Sequence, residues 1–162
     1  MLKIVRSIRE LDMDQMSKVY IESIAQKGAQ DYPQLCADLQ FLYAFQDLYS
    51  YLREYFRHPR SAYAIWTLDG CYICALRLEE YRDGYLITAL ETRPDERNRG
   101  YAGELLRCVI EYASKEFCLP LYSHIDTSNF ASLAVHKKAG FRLLHHYAAY
   151  LDGSVDHKSV TL

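Results

Sequence analysis

Three Asp-Gly pairs, Asp69-Gly70, Asp83-Gly84 and Asp152-Gly153, each sit between runs rich in β-branched or aromatic residues. Such a pair supplies the positive φ angles that tight two-residue hairpin turns demand. "SAYAIWTLDG", "CYICALRLEEYRDG" and "YLITALETRP" are therefore expected to form an antiparallel meander, and "FRLLHHYAAYLDGSVDHKSVTL" a closing hairpin. A chain punctuated in this way needs a largely antiparallel sheet at its centre, and the remaining segments must cover that sheet.

Those segments carry helical periodicity. "KIVRSIRE" alternates as a strand, and "LDMDQMSKVYIESIAQ" reads as a helix with Asp12 or Asp14 as its cap. In "QLCADLQFLYAFQDLYSYLREYFR" the residues Leu35, Leu39, Leu42, Phe45, Leu48, Leu52 and Phe56 keep helical spacing, which predicts one long helix or two short ones. Aromatics on that stripe are expected in the core, whereas Tyr43 and Tyr51, off it, are candidates to line a pocket. "AGELLRCVIEYASKEF" is a helix with Leu105, Leu106, Val109, Ile110 and Ala113 inward. "LPLYSHIDT" is a strand, and "FASLAVHKKAG" is a short helix closed by Gly140. The resulting order is β-α-α-β-β-β-α-β-α-β-β, an α/β (α+β) arrangement with a mixed, mostly antiparallel central sheet flanked by helices. With 162 residues, half of them hydrophobic, and no repeat or linker, one domain over 1–162 is expected.

Charge narrows the function classes. Nineteen basic against 21 acidic side chains, spread along the chain, give no electrostatic footprint for nucleic acid. The start "MLKIVRSIRE" lacks the basic end and apolar block of a leader, and no run approaches 18 apolar residues, so no membrane partner and a cytoplasmic location are expected. Of five cysteines only Cys71 and Cys74 are close in sequence. On a strand, side chains three apart point to opposite faces, so neither a shared metal nor a disulfide is expected there.

The stretch "RPDERNRGYAGELL" puts three arginines and Gly100 at the mouth of a helix. A helix start presents N–H groups with no partner inside the helix, and with the positive end of the dipole these suit a phosphate. The residues Arg97-Asn98-Arg99-Gly100-Tyr101-Ala102 meet the pattern [Gln/Arg]-x-x-Gly-x-[Gly/Ala] at every specified place. Downstream, Asn129, Ser132, His136, Gly140 and Phe141 match a second pattern, Asn, a small residue three later, a tyrosine seven later and Gly-Phe eleven later, at all places but the tyrosine. With the element order, these motifs resemble the GNAT superfamily of acetyl-CoA-dependent N-acetyltransferases, firmly over about residues 85 to 145 and through element order alone before that.

The resemblance implies a single GNAT N-acetyltransferase domain that transfers an acetyl group from acetyl-CoA to a primary amine, on a small molecule, an amino acid or a peptide, by direct attack in a ternary complex. No metal is implied, and a homodimer is common in the family. The alternative is a non-catalytic acyl-CoA-binding or sensing module, suggested by the histidine at the tyrosine place. The loop Arg97, Asn98, Arg99, Gly100, Tyr101 and Ala102 would cradle the pyrophosphate. The backbone at Leu90, Glu91 and Thr92 would pair with the pantetheine arm, and Asn129 would hold that arm, cap a helix, or do both. Glu91 is the candidate base, ahead of Glu79 and Glu80. His136 is the candidate acid or else a neutral helix residue, with Tyr147 and Tyr150 as spare acids. By the same resemblance the acceptor pocket draws on "QKGAQDYP", where Gly28, Asp31 and Tyr32 form a mobile lip, and on the last hairpin, with His145, Tyr147 and Tyr150.

Overall fold

A computed structural model of the chain describes residues 1–116 and 118–162. Among these residues the order is β1 (Leu2–Val5), α1 (Met13–Val19), α2 (Ile21–Asp31), α3 (Ala37–Tyr55), β2 (Ala62–Leu68), β3 (Cys71–Tyr81) and β4 (Gly84–Thr92). It continues with α4 (Tyr101–Glu116), β5 (Leu121–Asp126), α5 (Phe130–Lys138), β6 (Ala148–Ala149), β7 (Val155–Asp156) and β8 (Ser159–Thr161). Phe117, the predicted last residue of α4, lies outside the described residues. The fold is mixed α/β, with six strands in the order β1-β2-β3-β4-β5-β8. Every neighbouring pair is antiparallel except β4–β5, which α4 joins as a crossover.

Alternation along the strands assigns the two faces. From β2, Tyr63 and Ile65 pack with Met16, Tyr20, Ile24, Leu52 and Tyr55 of the first three helices. Ala62 and Ala64 face the other way, onto Leu105, Leu106 and Val109 of α4. Ile110 is half-buried beside them.

The predicted turns hold with one shift. Asp69 and Gly70 turn β2 into β3 with φ of 49° and 79°. The next turn is centred one residue earlier than expected, on Arg82 (φ 48°) and Asp83, and Gly84 already pairs with Tyr81. The closing hairpin is much reduced. Asp152-Gly153 joins strands of only two residues, and β8 leaves them to pair with β5. Burial explains the departure, because Val160 and Leu162 complete a cluster with Ile125, Leu133 and Phe141.

The helical layer departs further. The single helix expected over Leu11–Gln26 breaks at Tyr20 (φ −101°, ψ 20°), whose hydroxyl donates to the Ala89 carbonyl at 2.7 Å. Asp12 is the cap, its carboxylate accepting from Gln15 N–H. Helix α2 then runs through Gly28 to Asp31, which overturns the mobile lip expected at residues 26–33. A Cβ on Gly28 would lie 2.4 Å from the Gln40 carbonyl oxygen, so the missing side chain lets α3 approach α2 backbone to backbone. That contact turns the first part of α3 toward α2. Leu39 and Leu42, expected inside, are 41% and 46% exposed, and the buried face is Ala44, Leu52 and Tyr55, flanked by Phe41, Phe45, Leu48 and Phe56.

Candidate active site

Strands β4 and β5 pair only over Tyr85↔Leu121, Leu86↔Tyr122 and Ile87↔Ser123, although both continue beyond. Past Ile87 they diverge. On its other edge β4 carries a bulge, since β3 pairs Ala75 with Glu91 and Arg77 with Thr88, so Ala89 and Leu90 stand against Leu76 alone. Ala89 takes a positive φ of 50° there. A bulge interrupts the ladder and re-aims the backbone. The Ala89 carbonyl that it releases is satisfied by Tyr20.

Three connected spaces open at this point. The first, about 350 Å³, lies at the start of α4 and is lined by Leu90, Glu91, Thr92, Arg97, Asn98, Gly100, Tyr101, Ala102 and Asn129. The second, about 430 Å³, occupies the gap between β4 and β5 under Glu22 and Ser23 of α2, with His136 in its wall. The third, about 420 Å³, lies between α2, α3 and the sheet and is lined by Tyr20, Ser23, Leu48, Tyr51, Arg77 and Glu91 among others. Glu91 borders all three.

The loop before α4 is shaped by Asn98 and Gly100, at φ of 62° and 85°. Glycine adopts that region without the penalty a side chain brings. Glu104 N–H reaches back to the Gly100 carbonyl at 3.1 Å, so the N–H groups of Tyr101, Ala102 and Gly103 ahead of it point out of the helix. Arg97 donates to Glu22 at 2.6 Å and to the Thr92 carbonyl, and Arg99 donates to Glu96 at 2.8 Å. Arg99 is the one predicted loop residue outside the lining of that first space. The Arg97–Glu22 pair is exposed, 42% and 58% at the side chains, and such pairs contribute only about 0–1 kcal/mol.

Glu91 is half-buried and accepts a hydrogen bond from the Ser23 hydroxyl. Burial raises its carboxyl above the ordinary value, against the pull of the Ser23 hydroxyl and Arg97. Glu79 is turned to Arg77 and Thr88, and Glu80 to Arg60. His136 is 1% exposed, its Nδ1 lies 2.8 Å from the Ser132 carbonyl, and its ring meets Phe141 edge-on. Burial lowers its pKa, so the ring is neutral. The carbonyl can only accept, which puts the single ring hydrogen on Nδ1 and leaves Nε2 bare. Nε2 is buried with no partner among the described residues. Asn129 caps α5, its oxygen accepting from Ser132 N–H at 3.0 Å.

The predicted acceptor residues stand one step from the third space. Asp31 pairs with Lys27 at 2.6 Å and Tyr32 donates to Asp47, and it is Lys27 and Asp47 that line the cavity. Tyr51 lines it as anticipated, whereas Tyr43 packs on Tyr32. Tyr147 stacks on His145 and lines none of the three spaces, and Tyr150 meets His124, a residue of the β4–β5 gap. The sequence reading missed Tyr20, Ser23, Tyr63 and Arg77. Only Arg77 left a signal, as the single cation within the apolar run of β3.

The chain matches the acetyltransferase (GNAT) family over residues 21–141, three quarters of its length, and belongs to that family. No curated protein sequence matches it. Among solved structures it resembles the PaiA N-acetyltransferase of Thermoplasma acidophilum in complex with coenzyme A, at TM-score 0.66 and 16% identity over 99% of this chain and 98% of that one. It also resembles the ribosomal-protein-S18-alanine N-acetyltransferase of Escherichia coli, at TM-score 0.60 and 19% identity over 99% and 91%. A third is a GNAT family acetyltransferase of Elizabethkingia anophelis with acetyl-CoA bound, at TM-score 0.57 and 18% identity over 70% and 80%. At these identities the likeness is one of fold.

No helix among the described residues is long and apolar enough to cross a membrane, and no group of three or more metal-ligating side chains is found among them.

Proposed function

We propose that the protein is an acetyl-CoA-dependent N-acetyltransferase of primary amines that works by direct transfer in a ternary complex within one domain. The observation that carries this reading is Glu91, a half-buried carboxylate where a helix-start cradle, a strand-edge gap and a cleft between α2, α3 and the sheet meet.

The three spaces fit the parts of the coenzyme and its acceptor. The N–H groups of Tyr101, Ala102 and Gly103, with Arg97 once released from Glu22, suit the pyrophosphate. The edge of β4 beyond Ile87 has no strand beside it, and the backbone of Leu90, Glu91 and Thr92 can bond the pantetheine amides as a strand would. Asn129 serves both as cap and as a wall of that gap. A bound thioester supplies the activated acetyl group. The bulged β4 backbone can donate to the thioester carbonyl oxygen as negative charge develops there.

The amine approaches from the third space. A primary alkyl amine, with pKa near about 10, arrives largely protonated, and Glu91 takes the proton directly or through a water. The nitrogen lone pair then forms the N–C bond, the C–S bond breaks as the nitrogen loses its second proton to solvent, and the departing thiolate takes up a proton from solvent. A thiol of pKa about 8.5 leaves without obligatory help. We read His136 as a packing residue, because a neutral ring whose hydrogen is given to Ser132 has none to donate.

Release of free thiol from acetyl-CoA, measured against pools of amino acids, polyamines, aminoglycosides and peptides with free N-termini, tests this reading. Release with one pool supports it. Coenzyme binding in calorimetry without release from any pool identifies a binding module instead.

A further inference from the structure

The third cavity contains a charge that acetyl transfer does not use. Arg77 stands on β3 with its side chain only 19% exposed, inside a space walled by Tyr20, Ile24, Leu48, Tyr51 and Tyr63. A cation so largely removed from water is expected to be fully paired, by a fork-to-fork carboxylate where geometry allows. This one is not. Its Nε donates to the Thr88 hydroxyl at 3.3 Å, and Glu79 approaches that same nitrogen no closer than 3.4 Å. The guanidinium otherwise lies over the rings of Tyr51, 4.8 Å to the centroid, and Tyr55, 5.9 Å. No carboxylate among the described residues engages its two terminal nitrogens side by side.

Register places this cation relative to the base. Tyr63, Arg77 and Thr88 form one row across β2, β3 and β4, and Ile65, Ala75 and Glu91 the next row on the same face. The rows are two residues apart along β3, about 7 Å. The cavity's other charges are at its edge and already partnered, Lys27 with Asp31 and Asp47 with the Tyr32 hydroxyl. An acceptor entering the cavity therefore meets one carboxylate and one guanidinium a few atoms apart, with apolar walls between.

Resting on the acetyltransferase reading above, we infer that the acceptor is an amino carboxylate, a free amino acid, whose amine faces Glu91 and whose carboxylate is held by the terminal nitrogens of Arg77. A polyamine would bring a second ammonium against Arg77. A peptide N-terminus would offer it only a neutral amide.

The test is thiol release from acetyl-CoA with matched acceptors: each amino acid, its amide, and the amine formed by removing its carboxylate. The expected result is a kcat/KM at least tenfold higher for the acid than for its amide or its amine. In Arg77→Met that ratio falls at least tenfold, and in Arg77→Lys, which keeps the charge and loses the fork, it falls part of the way. If Arg77→Met does not fold, the wild-type ratio and Arg77→Lys decide. Carboxylate-free amines that serve as well as the acids, or a ratio that Arg77 substitutions leave unmoved because every acceptor suffers alike, overturn this inference while acetyl transfer stands. No release with any acceptor overturns both.

Discussion

The Tyr20 hydroxyl donates to the Ala89 carbonyl across 2.7 Å, tying the break between α1 and α2 to the bulge of β4. Both irregularities serve one contact: the bulge removes the carbonyl's ladder partner, and the helix break points a tyrosine at it.

Tyr20→Phe is expected to leave that carbonyl unsatisfied in the core. The cost of such a loss is about 1–3 kcal/mol, and a domain of this size loses roughly 2–4 °C of Tm per kcal/mol. Thermal denaturation measures the loss. In the proposed mechanism the bulged backbone donates to the thioester carbonyl, so kcat is expected to fall with Tm.

Glu91→Gln is expected to lower kcat by about 10²- to 10⁴-fold, the usual contribution of a positioned base, with coenzyme affinity retained in calorimetry. Stability moves the other way. The folded carboxyl has a raised pKa, so its contribution is full below the unfolded value and is lost as pH rises through the folded value. At neutral pH the Gln variant is therefore expected to melt no lower than the wild type. Ser23→Ala removes a hydrogen bond that favours the charged form, and the acid limb of the kcat/KM profile should move to higher pH.

Arg97→Ala is expected to raise KM for acetyl-CoA about tenfold or more, the worth of a charge-assisted bond to phosphate, with Tm nearly unchanged because its resting pair with Glu22 is exposed. Gly100→Ala forces a side chain into φ 85°, at about 1–2 kcal/mol, and should lower both coenzyme affinity and Tm. Coenzyme titration and thermal melts separate the two effects.

His136 has a depressed pKa, so the unfolded chain binds its proton more readily than the folded one. Its contribution is complete above the ordinary value near 6.5 and is lost as pH falls below that toward the folded value. His136→Leu is expected to flatten the loss of Tm below pH 6.5, leaving a residual slope from His124, which is depressed in the same direction by burial. Its kcat should fall by far less than the 10²- to 10⁴-fold expected for loss of a proton donor.

The loop from Arg97 to Ala102 was legible because a helix start, an anion and a glycine leave a local pattern, and the structure sets all but Arg99 around one space. The hairpin at Asp69-Gly70 was legible for a similar reason. What escaped the sequence depends on contacts between distant segments. Periodicity across Tyr20 is continuous, and only the carbonyl of Ala89, 69 residues away, explains the break. Gly28 reads locally as a loop residue, and only the approach of Gln40 shows it to be a helix-packing one. The stripe's later residues, Phe45, Leu48, Leu52 and Phe56, face the core as expected, but Leu39 and Leu42 at its start point away from it, because periodicity reports a face and not what covers it. Tyr147 was placed at the acceptor site because the family resemblance draws that site partly from the last hairpin, and that hairpin gave up its final strand to β5.

Strands β4 and β5 are held together by three residue pairs, so the sheet is two leaves stitched at one end. A coenzyme lying along the open seam would suture it, and binding to the folded chain alone stabilises by mass action, about 2.7 kcal/mol at a hundred times Kd. Backbone amides flanking the seam would then exchange with deuterated solvent more slowly as coenzyme is supplied. On the proposed function, the lifetime of the folded chain against proteolysis would follow the abundance of the coenzyme.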